Sequence, residues 1–473
     1  MRIKNSFTGE VEELELEDPV SIYYCGLTVS DTPHLGHARG WVHTDVLRRY
    51  ISYQGFDVKY VENFTDINEK IFTKLGDENV SAESEVDLAD SYIDEVLDAI
   101  QSLNVQRATA YPRVSDYIDE IIDYVQSLID SGYAYVSNES VYFDVEEFED
   151  YGQLSNQSLK DMESQDDLAE VKDKRNESDF ALWKAVNPEK TRGEAWESPW
   201  GTGRPGWHIE CSVMSQQNLD TPIDIHVGGH DLVFPHHENE IAQSEADSEE
   251  RFVDNWMHIG LLESKSDSEK MSSSRDNFRT VQSAVEEFGG NTVRWFLLSS
   301  NYSSKQVYSD EKIQVARDKW IEIEKTYNRL EEIAGKSDAS VTHAGARGQL
   351  EERKKIALSS LSKDLNTREA LSQFTSLNSD VKSYLNSNDQ YDQQYLLRVL
   401  ETYELIGEEI LGFNFNSSTD STEGDSVAED LVEYREELRD KDEYEKADEI
   451  RDALEQAGYR IEDSEDGPVI IET

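Results

Sequence analysis

Four short segments of this 473-residue chain carry side chains whose type and spacing suit chemistry. The first is His34-Leu35-Gly36-His37, where the β-branched and aromatic run SIYYCGLTVS gives way to the helical pattern GWVHTDVLRRYISYQG. A helix starting there offers unpaired N–H groups and the positive end of its dipole, which suits a triphosphate. Gly36 lets the backbone approach a nucleotide, and the flanking imidazoles can donate to phosphate oxygens. The second is Lys270-Met271-Ser272-Ser273-Ser274, a polar segment able to fold over phosphates and stabilise charge on departing pyrophosphate. The third is the pair Cys25 and Cys211, the only cysteines, 186 positions apart. The fourth is His236-His237-Glu238-Asn239-Glu240, in which His236 and Glu240 are spaced i, i+4 and share one helix face. Each segment also has a plain reading: a capped helix, a solvated loop, two buried thiols, and the polar start of an amphipathic helix. Spacing alone leaves His237 open as an alternative ligand.

The elements around these segments set where they meet. SIYYCGLTVS and FDVKYVENFTD flank the helical pattern after HLGH, so a βαβ unit with a parallel sheet is expected. IDIHVGG at 223–229 restarts the sheet, and FPHHENEIAQSEA reads as the next helix. The fold class expected is therefore α/β: a Rossmann-type parallel-sheet catalytic domain over 1–310, interrupted by an insertion at about 115–200. Residues 311–412 read as a helix bundle, 413–426 as a Ser/Thr/Asp-rich linker, and 427–473 as a small α+β domain ending in a hairpin.

Composition narrows the setting. The chain has 45 Lys plus Arg against 100 Asp plus Glu, a formal net charge of −55, spread along the whole length. Hydrophobic residues at 37%, with eight Trp and 23 Tyr, argue for packed cores instead of an acidic disordered chain. A dispersed acidic surface keeps a protein hydrated in molar salt, where the Debye length shrinks to about 3 Å and like charges barely repel. A halophilic source is expected on that ground. No secretory segment and no apolar run long enough to span a bilayer is visible, so a cytoplasmic location is expected. Two cysteines do not make a disulfide framework.

HLGH followed some 230 residues later by KMSSS, on a parallel α/β frame, resembles the paired signatures of class I aminoacyl-tRNA synthetases. Longer runs resemble one family within that class. Tyr24-Cys25-Gly26-Leu27-Thr28-Val29, Asn63-Phe64-Thr65-Asp66-Ile67, Asp179-Phe180-Ala181-Leu182-Trp183-Lys184, Trp207-His208-Ile209-Glu210-Cys211-Ser212 and Phe234-Pro235-His236-His237-Glu238-Asn239-Glu240 are similar to cysteinyl-tRNA synthetase motifs, in that family's order.

The resemblance implies a zinc ion held by Cys25, Cys211, His236 and Glu240, a credible tetrahedral donor set. Cysteine and serine differ only by sulfur for oxygen. Packing separates near-isosteres poorly, whereas borderline-soft zinc binds a thiolate strongly and a protonated hydroxyl weakly. Such a metal would make an editing site unnecessary. The resemblance also implies that His34, His37 and Lys270 are catalytic. It places ATP on His34, Gly36, His37, Gly228, Gly229, Lys270, Ser273 and Arg275, and the amino acid on Thr28, Trp207, His226 and Asp231. One position departs from the family's Lys-Met-Ser-Lys-Ser: Ser273 replaces a lysine, and Arg275 is expected to restore the lost charge. The implied partners are ATP with Mg2+, L-cysteine and its tRNA, acting on a monomer. With so few basic residues, base stacking and shape should carry more of the tRNA recognition than phosphate contacts. Two rivals remain at this level, a ligase passing cysteine to a small-molecule amine and an inactive tRNA-binding relative.

Overall fold

The computed structural model describes residues 1–75, 82, 84–157, 173–186, 193–246, 248, 250–264, 279–334 and 341–415. Beyond 415 it describes scattered helical positions between 431 and 454 and the strands at 459–464 and 467–472. Lys270, Ser273 and Arg275, the whole KMSSS segment and most of the expected linker lie outside the described residues. The chain divides into two units, Met1–Phe413 and Asn414–Thr473.

The larger unit opens with an antiparallel hairpin of β1 (Arg2–Lys4) and β2 (Val11–Glu13). Its centre is a parallel sheet. β3 (Val20–Tyr24) leads through α1 (Leu35–Tyr53) to β4 (Val58–Glu62). The chain then runs through α2 (Glu69–Lys74), α3 (Glu85–Ser102) and α4 (Ile118–Asp130). A separate antiparallel sheet of β5 (Ala134–Ser137), β6 (Ser140–Phe143), β7 (Phe180–Ala185) and β8 (Gly203–Pro205) follows, in the expected insertion. After α5 (Trp207–Asn218), the chain returns to the parallel sheet as β9 (Ile223–Gly229), α6 (Glu238–Ala246) and β10 (Val253–Ile259).

The strand order β10-β9-β3-β4 explains where a site must form. From β3 the chain moves outward to β4, and from β9 it moves outward the other way to β10. The order reverses between β3 and β9, and a crevice opens there at the carboxyl ends of the strands. Ile22, Tyr23, Ile225 and Val227 are wholly buried, as strands covered on both faces require.

α1 starts where the sequence places it, with His34 as its cap. The His34 ring accepts from Gly36 N–H, and His34 N–H donates to His37 Nδ1. The helix also presses closely on β3, because a Cβ at Gly40 would collide with the Tyr24 hydroxyl. α6 starts later than FPHHENEIAQSEA suggests. Residues 233–237 form a wide kinked turn in which Phe234 is extended (φ −139°, ψ 134°), and regular helix begins at Glu238.

Past β11 (Leu262–Ser264), α7 (Val281–Phe288), α8 (Gly290–Leu298) and β12 (Gln306–Tyr308), four helices pack together. They are α9 (Asp310–Ala334), α10 (Ala344–Leu361), α11 (Thr367–Ser387) and α12 (Gln393–Tyr403), the last continuing as a wider turn to Ile410. Rings fill their core: Phe374 lies 5.0 Å from Tyr403, and Trp320 5.1 Å from Phe413. In the smaller unit, β13 (Tyr459–Ser464) and β14 (Gly467–Glu472) form an antiparallel hairpin.

Candidate metal and nucleotide site

Three distant stretches of chain converge at the crevice. Cys25 follows directly on β3, and its N–H donates to Val227 O of β9 at 2.9 Å. Cys211 arrives on the first turns of α5, and His236 and Glu240 arrive on the kinked turn and start of α6. One donor atom from each of the four lies within 4.8 Å of every other. Cys25 Sγ is 3.2 Å from Cys211 Sγ and 3.1 Å from His236 Nε2, which is 3.1 Å from Glu240 Oε1. Donors around one tetrahedral zinc ion sit roughly 3.3–3.8 Å apart, so a small outward adjustment fits these four to a single ion. His237, the alternative left open by spacing, falls in a second group with His226 and Glu240: its Nδ1 is 2.8 Å from His258 Nε2 and its Nε2 3.9 Å from Glu240 Oε1.

The donor chemistry fits a divalent cation. All four residues are buried, and Glu240 Oε1 lacks an aligned hydrogen-bond donor. Burial opposes ionisation of Cys211, yet its hydrogen bond with Cys25 and the His236 charge lower it to about 6. Burial likewise disfavours charge on His236, but Cys211 and Glu240 raise it to about 10. Glu240 is lowered to about 2 despite its burial, because His226 and His236 favour its charge. Cys25 is pushed well up, by burial first and then by its bond with Cys211. Two thiols, an imidazole and a carboxylate packed together therefore share too few protons comfortably, and a cation would resolve that conflict by ionising both thiols.

Outer residues orient the donors. His226 Nε2 lies 3.0 Å from Glu240 Oε2, and His208 Nδ1 lies 3.0 Å from His236 Nδ1. Asn63 Oδ1 accepts from Gly26 N–H at 2.9 Å and from the Tyr23 hydroxyl at 3.1 Å, which fixes the turn carrying Cys25. Sequence reasoning did not single out His208 or Asn63, although both lie inside the WHIEC and NFTD runs it used. His226 was expected beside the amino acid. Its ring is fully buried, stacked 4.5 Å from Trp256, and its contact is with Glu240.

The remaining expected residues lie on or next to the elements that carry the donors. Trp207 is 41% exposed, so it is no core residue, and its ring lies 4.3 Å from that of His236. Thr28 pairs with Thr65 as an isolated bridge at the ends of β3 and β4. Asp231 is exposed and curls over Gly229, where an added Cβ would meet its Oδ1 at 2.6 Å. Gly228 is held small by its neighbour, since a Cβ there would meet the His237 ring at 2.5 Å.

The HLGH turn stands at the same end of the sheet. The His34 and His37 rings stack 3.7 Å apart, and a Cβ at Gly36 would strike the His34 ring. Residues 279–281, which follow the KMSSS segment, run directly alongside. Leu35 N–H donates to Arg279 O at 3.0 Å, and Val281 N–H to Pro33 O at 2.9 Å. Glu62, behind this turn, was not singled out from the sequence. Its carboxylate accepts from Trp41 Nε1–H at 2.7 Å and from the Tyr60 hydroxyl at 2.9 Å, and burial pushes it up to about 7.

Comparison with known proteins shows the family. The family described as tRNA synthetases class I (C) catalytic domain matches residues 11–318. The chain is 48% identical to the cysteine–tRNA ligase of Haloarcula marismortui, over 99% of both chains. It is 43% identical to that of Halobacterium salinarum, again over 99% of both. With the cysteine–tRNA ligase of Thermococcus gammatolerans it shares 38% identity over 99% of this chain and 98% of the relative. Among solved structures, a Mycobacterium tuberculosis methionyl-tRNA synthetase in complex with methionyl-adenylate superposes with a TM-score of 0.63 at 15% identity. It covers 84% of this chain and 92% of its own, a likeness of fold.

Proposed function

This chain belongs to the cysteine–tRNA ligase family, and we propose that its Cys25, Cys211, His236 and Glu240 hold one zinc ion that selects the amino acid. The activity is ligation of cysteine to tRNA by a class I synthetase. Neither rival fits, because relatives matched over 99% of their length are tRNA ligases. The halophilic reading of the composition fits the Haloarcula and Halobacterium relatives. Among the described residues, no helix is long and apolar enough to cross a membrane.

The observation carrying the metal assignment is the convergence of two buried thiols, an imidazole and a carboxylate from three separate elements within 4.8 Å. Zinc bound there would supply a soft Lewis acid that takes a thiolate and discriminates against a hydroxyl. The protein's own residues do the rest. Trp207 walls the pocket beside His236, and Asp231 at the rim faces the ammonium of the amino acid. The positive end of the α1 dipole and the stacked His34 and His37 receive the triphosphate of ATP with its Mg2+. Carboxylate attack on the α-phosphorus then yields the adenylate, and hydrogen bonds from the His34 and His37 imidazoles with positive charge from Lys270 and Arg275 stabilise the leaving pyrophosphate. Catalysis on this account is positioning and electrostatics, without a covalent intermediate on the protein.

Residues 1–310 serve activation. The bundle at 311–412 and the region 427–473 serve the body and anticodon of the tRNA, with a monomer as the working unit. Cysteine-dependent ATP–pyrophosphate exchange in molar salt, followed by charging of tRNA(Cys), tests this assignment. Exchange and charging by metal-loaded protein are expected, and exchange without charging would contradict it.

A further inference from the structure

Arg39, two residues past HLGH on α1, is wholly buried, and its guanidinium is given almost entirely to other parts of the chain. Its Nε–H donates to Gly260 O at 2.9 Å. Nη1 donates to Leu297 O at 3.2 Å, to Ser300 Oγ at 3.0 Å and to Gln306 Oε1. Nη2 donates to Asn301 O and Ser304 O, both at 2.8 Å. Gly260 directly follows β10, two residues before β11, and Gln306 opens β12, the parallel partner of β11. The same group that sits one turn from His34 and His37 thus fixes the root from which the chain departs towards residues 265–278. The far root, 279–281, is tied to Pro33 and Leu35 by the two backbone bonds at the HLGH turn.

A neutral core side chain would not do this. A guanidinium carries five donors in a planar fork, and here most of its acceptors are main-chain carbonyls from separate parts of the chain. Interior polar networks of this kind fix relative position, and reacting groups lose rate steeply when displaced. We propose that Arg39 is a positioning residue for the activation step: it sets the distance between the HLGH turn and the β11–β12 root that precedes Lys270. The inference rests on HLGH being the triphosphate site.

The comparison residue is Arg294 on α8, equally buried. It donates to Leu103 O at 3.0 Å and Leu411 O at 2.5 Å and pairs with Asp45, none of which lies on β11 or β12. The experiment measures cysteine-dependent ATP–pyrophosphate exchange, zinc content and cysteine binding for Arg39→Lys, Arg294→Lys and His37→Asn. In Arg39→Lys, kcat for exchange falls about 10- to 100-fold while the KM for cysteine changes by less than about threefold. Arg294→Lys lowers the melting temperature but keeps its exchange kcat per folded molecule. Equal loss of kcat in the two lysine variants, or none in Arg39→Lys, would overturn the proposal. Should Arg39→Lys not fold, Gln306→Met removes one acceptor and keeps the charge; kcat at the wild-type value would then overturn it. Wild-type exchange by His37→Asn would instead overturn the HLGH reading on which the inference rests.

Discussion

His226 Nε2 lies 3.0 Å from Glu240 Oε2, inside the sheet and beneath the donor cluster. That bond holds the carboxylate so that its other oxygen, Oε1, points at His236, 3.1 Å from Nε2. Residues that orient metal ligands typically govern metal affinity by 10- to 100-fold. His226→Ala should therefore weaken zinc binding by about 10- to 100-fold while leaving the four donors in place. A competition titration with a chromogenic chelator measures this; unchanged affinity would show that Glu240 orients itself.

Cys211→Ser replaces a donor whose ionisation is favoured with a hydroxyl that stays protonated at neutral pH. The variant should lose stoichiometric zinc and lose cysteine affinity at least as severely as it loses stability. Zinc analysis beside a thermal melt and a cysteine binding curve separates the two losses.

The sequence carried the parallel α/β frame and the family, because long motifs and the βαβ pattern of apolar runs survive as one-dimensional signals. The four residues proposed as donors were named only through resemblance: spacing alone left His237 open. The structure shows why His237 differs. Phe234 breaks the helix, so the turn before Glu238 is wide and directs His236 inward while His237 meets His258. Burial and cross-chain contacts have no local signature, and so Arg39, Glu62 and the orienting bond of His226 were not legible. The close contact of Gly228 with the ring of His237, nine residues on, was likewise not legible.

Glu62 gives a pH dependence whose sign can be worked out. Its folded value is raised from 4.5 to about 7 by burial, so the folded state holds a proton that the unfolded chain releases. Stability from this group is present below about pH 4.5 and is lost as pH rises through 7. The raised value corresponds to about 3 kcal/mol at full ionisation. Glu62→Gln should therefore be more stable than wild type at pH 8, with the gap closing towards pH 5. Urea unfolding in molar salt at both pH values reads it, and a gap independent of pH would contradict the assignment.

Gly412 stands at φ +71°, and a Cβ there would run into the Arg294 guanidinium. Gly412→Ala should destabilise the larger unit by about 1–3 kcal/mol through backbone strain, more if Arg294 is displaced. Circular dichroism melts would show it. A wild-type melting temperature would mean that the turn after α12 rearranges freely.

Net charge of −55 makes stability a function of salt. Lowering KCl from molar to about 0.01 M lengthens the Debye length from about 3 to 30 Å, so self-repulsion rises sharply. The unfolding midpoint should fall continuously with KCl, and a protein fully folded and active without salt would contradict the halophilic reading.

The central claim is that the ion on Cys25, Cys211, His236 and Glu240 is what recognises cysteine. The most direct measurement is the ratio of kcat/KM for cysteine to that for serine in ATP–pyrophosphate exchange, before and after chelation. The account predicts that exchange with cysteine collapses when the metal is stripped, returns when zinc is restored, and never develops with serine. A folded, zinc-free protein still selective for cysteine over serine would contradict it.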